Sequence, residues 1–483
     1  MAINKLFRNV LSISLGQSSS LVIQFISLTL VARFLGVEHY GIFNYLLAIA
    51  IVISKLTDLG LSPVAFRESS KTNSDEFVNS AISLRLTALF IIAFFFFFIS
   101  VVVGFSTMDV ILINILLLNV VLSSKFQNIR ELVEIPFKVR IISHYPMSVL
   151  VLDSLLFLFF VLLIPIFDLG LLYVVITYVI SNLPGFFILL YLLKKKCSFS
   201  FNFTWGKAKF LWKESLPLMG YVFVIALFQQ IDILILKNFV SDFSAGLFAA
   251  AARLTMPFNI IPSAIVSSVF PILVNNIREN PTKNYDLIKF INKLLFFISF
   301  ALASLFVFKA DEVINFVFGS AYKNSSNPSI YLFISQIFFF YNFFNVDLLI
   351  AYGKQKFTLY YAVAMLLSYF LFAFLLIPHY SYTGAAVAKL CAIIFGSLIL
   401  SYIISLLKIK VFFISWEVIV ACITLLVVFF LLANLHIVLY SILAIIFLIV
   451  IPLIFKFFSD YEILSLFRLI NKETWGVKLL RIL

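Results

Sequence analysis

The chain has 483 residues, of which 63% are hydrophobic and 12% charged, with 60 phenylalanines and a formal net charge of +13. Soluble domains carry about 25% charged residues, so this composition cannot cover a soluble core and calls for an apolar solvent. The basic excess would suit a nucleic-acid binder, but it lies in short loops between apolar runs, and no nucleic-acid partner is expected.

Lys5 and Arg8 precede an apolar stretch from Leu11 to about Val31. Its length, Gln17 and Gln24 within it, and the lack of a small-residue cleavage site before Arg33-Phe34-Leu35-Gly36 mark an uncleaved first helix. At 1.5 Å per residue, a helix needs about 20 residues to cross a core of about 30 Å. On that scale, spans fall at 11–32, 41–61, 81–104, 109–127, 142–165, 169–193 and 214–236. They continue at 244–272, 290–308, 329–350, 357–378, 383–406, 412–433 and 437–457. The fourth and fifth are the weakest, because Glu131, Glu134 and Pro136 lie between them in an amphipathic connector. Long unbroken apolar runs exclude a β-barrel. Cys197, Cys391 and Cys422 are too scattered for a metal pair or a disulfide framework, and no metal or cofactor is expected.

Loop charge tests the count. With the N-terminus inside, the inner regions hold Lys5, Arg8, Arg67, Lys71, Lys125, Arg130, Lys138, Arg140, Lys194, Lys195, Lys196, Lys207, Lys209 and Lys213. Further on come Arg278, Lys283, Lys289, Lys293, Lys354, Lys356, Lys408 and Lys410, then Lys456, Arg468, Lys472, Lys478 and Arg481 in the tail. These are 27 of the 35 basic residues, against four in outer loops (Arg33, Lys237, Lys309 and Lys323). The positive-inside rule thus favours an even number of spans and both termini in the cytoplasm.

An internal repeat divides the spans. Phe34-Leu35-Gly36-Val37-Glu38-His39-Tyr40-Gly41-Ile42-Phe43 parallels Phe239-Val240-Ser241-Asp242-Phe243-Ser244-Ala245-Gly246-Leu247-Phe248 at an offset of 205, which also places Gln24 on Gln229 and Ile26 on Ile231. A duplication would make 1–193 and 214–407 two six-helix lobes of like orientation, joined by a basic linker at 194–213, with 408–483 holding the last two spans and the tail. Chance agreement in a restricted alphabet is the alternative.

Charges within spans are costly unless they face a bundle interior or a water-filled cavity. Lys55 and Asp58 share a helical face, either as a cavity group or as a self-neutralising pair. Arg67 follows just past that span. Arg85 is near enough to an end to snorkel, Asp232 lies late in span seven, and Asp347 and Lys389 lie in spans ten and twelve. Asp153 is a further candidate, near mid-depth in span five. Arg253 is the hardest to dismiss, because Ala249 to Ala252 beside it allow close helix approach but cannot cover a charge. A sheltered arginine suits phosphate, and a carboxylate such as Asp58 or Asp232 suits a proton or Na⁺. No ion-selectivity filter run and no ATP-binding phosphate loop occur.

The sequence resembles the bacterial polysaccharide biosynthesis flippases, the O-antigen and capsule repeat-unit translocases of the multidrug/oligosaccharidyl-lipid/polysaccharide exporter superfamily. The markers are Ala32-Arg33-Phe34-Leu35-Gly36 with Tyr40-Gly41, Asp58-Leu59-Gly60-Leu61 with Arg67-Glu68, and Ile231-Asp232 with Ala245-Gly246-Leu247-Phe248 and Ala252-Arg253-Leu254. Phe270-Pro271, Phe318-Gly319-Ser320-Ala321-Tyr322 and Ile377-Pro378 before Gly384-Ala385-Ala386 complete the set. The resemblance implies an all-α polytopic membrane protein of about fourteen helices, with two six-helix lobes around a central cavity and two C-terminal helices. It implies alternating-access transfer of an undecaprenyl-diphosphate-linked oligosaccharide across the bacterial inner membrane, coupled to H⁺ or Na⁺, with a polysaccharide polymerase and a chain-length regulator as partners. Arg253 would meet the diphosphate or an acidic sugar, Arg33 and Arg85 would add positive potential, and Asp58 and Asp232 would be cavity or coupling groups. Gln24, Gln229, Lys55, Arg67, Asp347 and Lys389 complete the candidate cavity set. A small-solute or drug antiporter of the same superfamily is the alternative, and a membrane-embedded glycan polymerase a more distant one. A polymerase would need a sizeable outer loop or an acidic cluster at a membrane face, and neither is visible in the sequence.

Overall fold

A computed structural model describes residues 2–72, 74–197, 199, 202–279, 284–409 and 416–454. Lys283, Lys410, Lys456, Arg468, Lys472, Lys478 and Arg481, together with the start of the thirteenth expected span and the end of the fourteenth, lie outside the described residues.

Among the described residues the ordered elements are all helical. The chain opens with α1 (Ala2–Asp58), α2 (Leu61–Thr72), α3 (Glu76–Val103), α4 (Thr107–Leu117), α5 (Asn119–Leu122) and α6 (Ile129–Val139). Next come α7 (His144–Leu162), α8 (Ile164–Phe167), α9 (Leu171–Ile180), α10 (Leu183–Cys197), α11 (Trp205–Phe239) and α12 (Asp242–Thr255). The remainder is α13 (Ile260–Glu279), α14 (Tyr285–Val307), α15 (Ala310–Phe318), α16 (Ser326–Ala351), α17 (Lys356–Leu406), α18 (Trp416–Leu432) and α19 (Ile437–Ile454).

Nine of the described helices are long and apolar enough to cross a membrane, and three more are apolar but shorter. Two of the nine break once. In α1 the break is Gly36, at φ 72° and ψ 174°, a conformation open to a residue without Cβ. In α17 it is Ser381, at φ 50° and ψ −131°, whose hydroxyl lies 3.1 Å from that of Ser244. Counting the halves of the two broken helices, the described residues hold eleven apolar segments of spanning length and three shorter apolar helices, fourteen in all. Its exterior is apolar in the way lipid requires. Phe90, Phe94, Phe95, Phe97 and Phe98 of α3 are all exposed.

By internal packing the chain separates into two compact units, 1–253 with 375–385, and 254–374 with 386–483. In the first, α1 is the hub and packs on α4, α7 and α11. Its second half meets α12 where a Cβ on Gly41 would strike the Asp242 carbonyl and a Cβ on Gly246 would strike that of Val37. Positions 37 and 242, like 41 and 246, are related by the offset of 205, so the contact is reciprocal.

In the second unit, α14 and α16 form the central pair. Val266, Leu273, Ile291, Leu295, Phe340 and Phe344 are buried together there. The last two spans pack on α14 through Phe297, Leu425, Phe429 and Tyr440. Buried Lys309 fastens them by donating to the Leu435 carbonyl at 2.8 Å, and the Tyr440 hydroxyl donates to the Leu305 carbonyl at 3.1 Å.

Candidate functional site

Lys55, Asp58 and Arg85 come together at the end of the first unit that carries the basic loops. Arg85 is fully buried, and each of its three nitrogens has an acceptor. Nε donates to the Asp58 carbonyl at 2.9 Å, and Nη1 to the Asn128 carbonyl at 2.7 Å. Nη2 donates to the Asp58 carboxylate and, at 3.0 Å, to the Ser62 hydroxyl. Ser62 in turn donates to Glu131 at 2.9 Å. Asn128 donates to the Ser54 carbonyl at 2.6 Å and to the Thr57 hydroxyl at 2.7 Å. Lys55 lies 3.9 Å from the Asp58 carboxylate and donates to Gln127 at 3.4 Å. The turn at Leu59-Gly60, where both residues have positive φ, lets α1 double back so that Asp58 and Ser62 face α3 together. The cluster therefore holds α1, α2, α3 and α6 in register, with the Arg85 charge matched inside it.

A second buried network lies one step along the same connector. Arg130 is fully buried, 2.6 Å from the Asp153 carboxylate and 4.0 Å from Glu134, and it donates to the Leu122 carbonyl at 2.7 Å. A Cβ on Gly185 would strike the Asp153 carboxylate, so the glycine lets α10 close over the pair. Lys125 sits against the faces of Phe157 and Tyr178, at 5.4 and 5.5 Å from the ring centres. The loop reading of Arg130 is corrected here. The fourth span ends at Leu122, and α6 turns Arg130 and Glu134 inward along with Leu132 and Val133.

Arg253 is half-buried on α12 and donates to the Asn44 carboxamide on α1 at 3.2 Å. Tyr178 is buried and packs edge-on against Phe43 and Phe157. Asp232 is fully buried in α11, whereas Gln229 and Arg33 are exposed. Arg67 sits outside this group. It is exposed on α2, 2.7 Å from Glu68 and 3.0 Å from Glu214, and those two carboxylates, Glu214 first, hold its guanidinium above its ordinary range. Lys71 first, and then Arg67, hold the Glu68 carboxyl below the usual carboxylate range. In the second unit, Asp347 on α16 and Lys389 on α17 are each half-buried. That unit also has a cavity of about 200 Å³ lined by Lys309, Asp311, Glu312 and Asn327, remote in sequence from the predicted set.

Sequence reasoning passes over Asn44, Asn128 and Tyr178, and counts Arg130 only among the inner basic residues. The first two are neutral amides with no periodic signature, and Tyr178 is one of 20 tyrosines. Only Arg130 carries a readable signal, a charge inside an amphipathic connector whose apolar faces are wide enough to bury it.

Comparison with known proteins then decides the family. The family described as "Polysaccharide biosynthesis protein" matches residues 6–277, more than half the chain. The chain belongs to that family. The matched region holds Gln24, Arg33, Lys55, Asp58, Arg67, Arg85, Gln229, Asp232 and Arg253, while Asp347 and Lys389 fall beyond it. The capsular polysaccharide biosynthesis protein CapF of Staphylococcus aureus is 24% identical over 377 residues, which cover 76% of this chain and 91% of CapF. In three dimensions the chain resembles the lipid II flippase MurJ in an inward closed conformation, with a TM-score of 0.73 and 16% identity over 92% of this chain and 98% of that one. The MATE transporter VcmN of Vibrio cholerae in its bent form matches with a TM-score of 0.55 and 15% identity, over 85% of this chain and 98% of VcmN. This polysaccharide biosynthesis protein thus has the all-helical fold of those multi-pass transporters.

Proposed function

We propose that this chain is a flippase, a transporter and not an enzyme, that carries an undecaprenyl-diphosphate-linked oligosaccharide from the cytoplasmic to the outer leaflet of the bacterial inner membrane, for O-antigen or capsule assembly. The observation that carries the reading is a coincidence of two independent likenesses. The sequence belongs to a polysaccharide biosynthesis family, and the fold matches a protein named as a lipid II flippase over 92% of the chain. The name of CapF favours capsule as the destination of the glycan.

Arg253 supplies the chemistry. A guanidinium presents a planar donor fork to phosphate oxygens, and on α12 it is half-buried inside a spanning segment, with Asn44 orienting it. Alternating access exposes this group to one leaflet at a time. Asp58, which faces Arg85 and Lys55, and Asp232, fully buried in α11, are the carboxylates that would take up H⁺ or Na⁺. Moving one charge is worth about 2.3 kcal/mol per 100 mV, enough to bias exchange between leaflets. Loop charge supports termini in the cytoplasm, and the product would pass to a polymerase and a chain-length regulator at the outer face.

A second reading, a drug or small-solute antiporter, is favoured by the VcmN likeness, although that TM-score of 0.55 falls below the 0.73 of the flippase. Proteoliposomes separate the two. The flippase should bring a defined diphosphate-linked oligosaccharide to the outer leaflet, faster under an imposed ion gradient. Arg253→Ala should cut that rate about 10- to 100-fold, the value of one lost charge-assisted hydrogen bond at about 1.5–3 kcal/mol, and Arg253→Lys should retain part of it. Full transport by both variants would end the diphosphate role. Gradient-driven export of an organic cation, with no movement of any lipid-linked glycan, would establish the antiporter instead.

A further inference from the structure

The first turns of α11 precede its apolar stretch, which begins at Met219, and they are built unlike a loop. Ala208, Leu211 and Ser215 are buried at helical spacing and seat this part of the helix on the bundle. Lys207 pairs with Glu76 and lies over the Phe77 ring at 5.0 Å, and Phe77 meets Phe210 edge-on at 6.1 Å. Glu214 is taken by Arg67 at 3.0 Å, and the Ser80 hydroxyl lies 3.4 Å from the Thr204 carbonyl. These ties fix the rotation of the helix.

Among what they leave outside is one stripe of alternating indoles and lysines. Trp205, Lys209, Trp212 and Lys213 are spaced by four, seven and eight residues, so they share a face, and all four are exposed, Trp205 at 71% and Trp212 at 44%. Lys194, Lys195 and Lys196 are exposed at the end of α10, eight residues or so before. Indole rings in water are unfavourable, whereas alternating indoles and ammonium groups match the headgroup zone of a bilayer, where the rings lie among glycerol and upper acyl carbons and the lysines reach phosphates. The one acid beside the stripe is already neutralised, so its field is positive.

We infer that the start of α11 is an interfacial anchor that binds anionic phospholipid headgroups of the leaflet at the basic-loop end of the protein. The occupant is resident anionic phospholipid, not transported cargo, and the inference stands whether or not the flippase reading does. The stripe and the seventh span belong to one helical element, α11, with Pro217 between them ahead of the apolar stretch that begins at Met219, so the anchor fixes where that span enters the membrane.

The test uses the full chain in bilayers free of any lipid-linked glycan. A Trp416→Phe, Trp475→Phe background leaves Trp205 and Trp212 as the only indoles. Brominated phosphatidylglycerol and brominated phosphatidylcholine are then compared as quenchers at equal mole fraction. The anionic lipid should quench more strongly. Lys209→Gln with Lys213→Gln should reduce that preference about five-fold per lysine removed, while Lys209→Arg with Lys213→Arg should keep it. Equal quenching by both lipids in the parent would overturn the inference. So would an absence of quenching by either, which would place the stripe in water, or a loss of preference in the arginine variant.

Discussion

The two compact units of this protein are held together by different chemistry. The first is braced by buried ions. Arg85 with Asp58 and Arg130 with Asp153 sit at full or nearly full burial, and at the surface Arg140 grips Asp75 through two hydrogen bonds of 3.0 and 2.8 Å. Among its described residues the second leans more on rings and amides. Phe306 and Phe333 stack at 3.7 Å with Phe258 edge-on to both, and buried Asn345 donates to buried Asn292 at 2.7 Å. Packed rings are indifferent to pH and salt. A buried ion pair contributes little net stability, but it penalises every arrangement that separates its members. The first unit is therefore the more sharply specified of the two.

The contrast can be broken most forcefully at Arg85. Arg85→Met strands the Asp58 carboxylate and two backbone carbonyls, and thermal or denaturant unfolding of the purified protein should show a loss of about 3–5 kcal/mol. Adding Asp58→Leu should recover only part of this, since the carbonyls of Asp58 and Asn128 still lack their donor. The second unit should behave differently. Asn345→Leu should cost about 1–3 kcal/mol by orphaning Asn292, whereas Asn345→Leu with Asn292→Leu should return close to the parent. If that double variant were as unstable as the single one, the amides would be as specifying as the ions and the contrast would fail. The smallest effect belongs to the surface of the first unit. The folded-state pKa of Glu68 lies below its unfolded value of 4.5. Its contribution is therefore full above that value and fades as pH falls through the folded pKa. Melting curves from pH 6 downward should fall slightly more for the parent than for Glu68→Gln, and identical curves would remove Glu68 from the account. An exposed pair of this kind is worth little.

Much of this molecule is legible in the sequence because lipid is a demanding solvent. Every span must satisfy its own backbone, so each is written as a run of about 20 apolar residues, and even the joined pairs in α1 and α17 are visible as two runs. The candidate site is less legible for a physical reason. Hydropathy marks Arg85 and Arg253 equally as charges in spans, yet one is enclosed by acceptors from three other helices and the other is half-buried beside an amide. Which neighbours arrive depends on tertiary packing, as with Asn128, whose amide reaches back 71 and 74 residues to Thr57 and Ser54. The break at Ser381 is likewise unreadable, because serine gives no hint of a left-handed turn, whereas Gly36 does.

The crossing of α1 and α12 at Gly41 and Gly246 has a mechanical consequence. Most helix contacts interdigitate side chains, so parting them means changing rotamers and closing them again means choosing a register. Here backbone rests on backbone. Such a joint can open and reseat without any side chain having to re-sort, and a methyl group on either half would act as a shim.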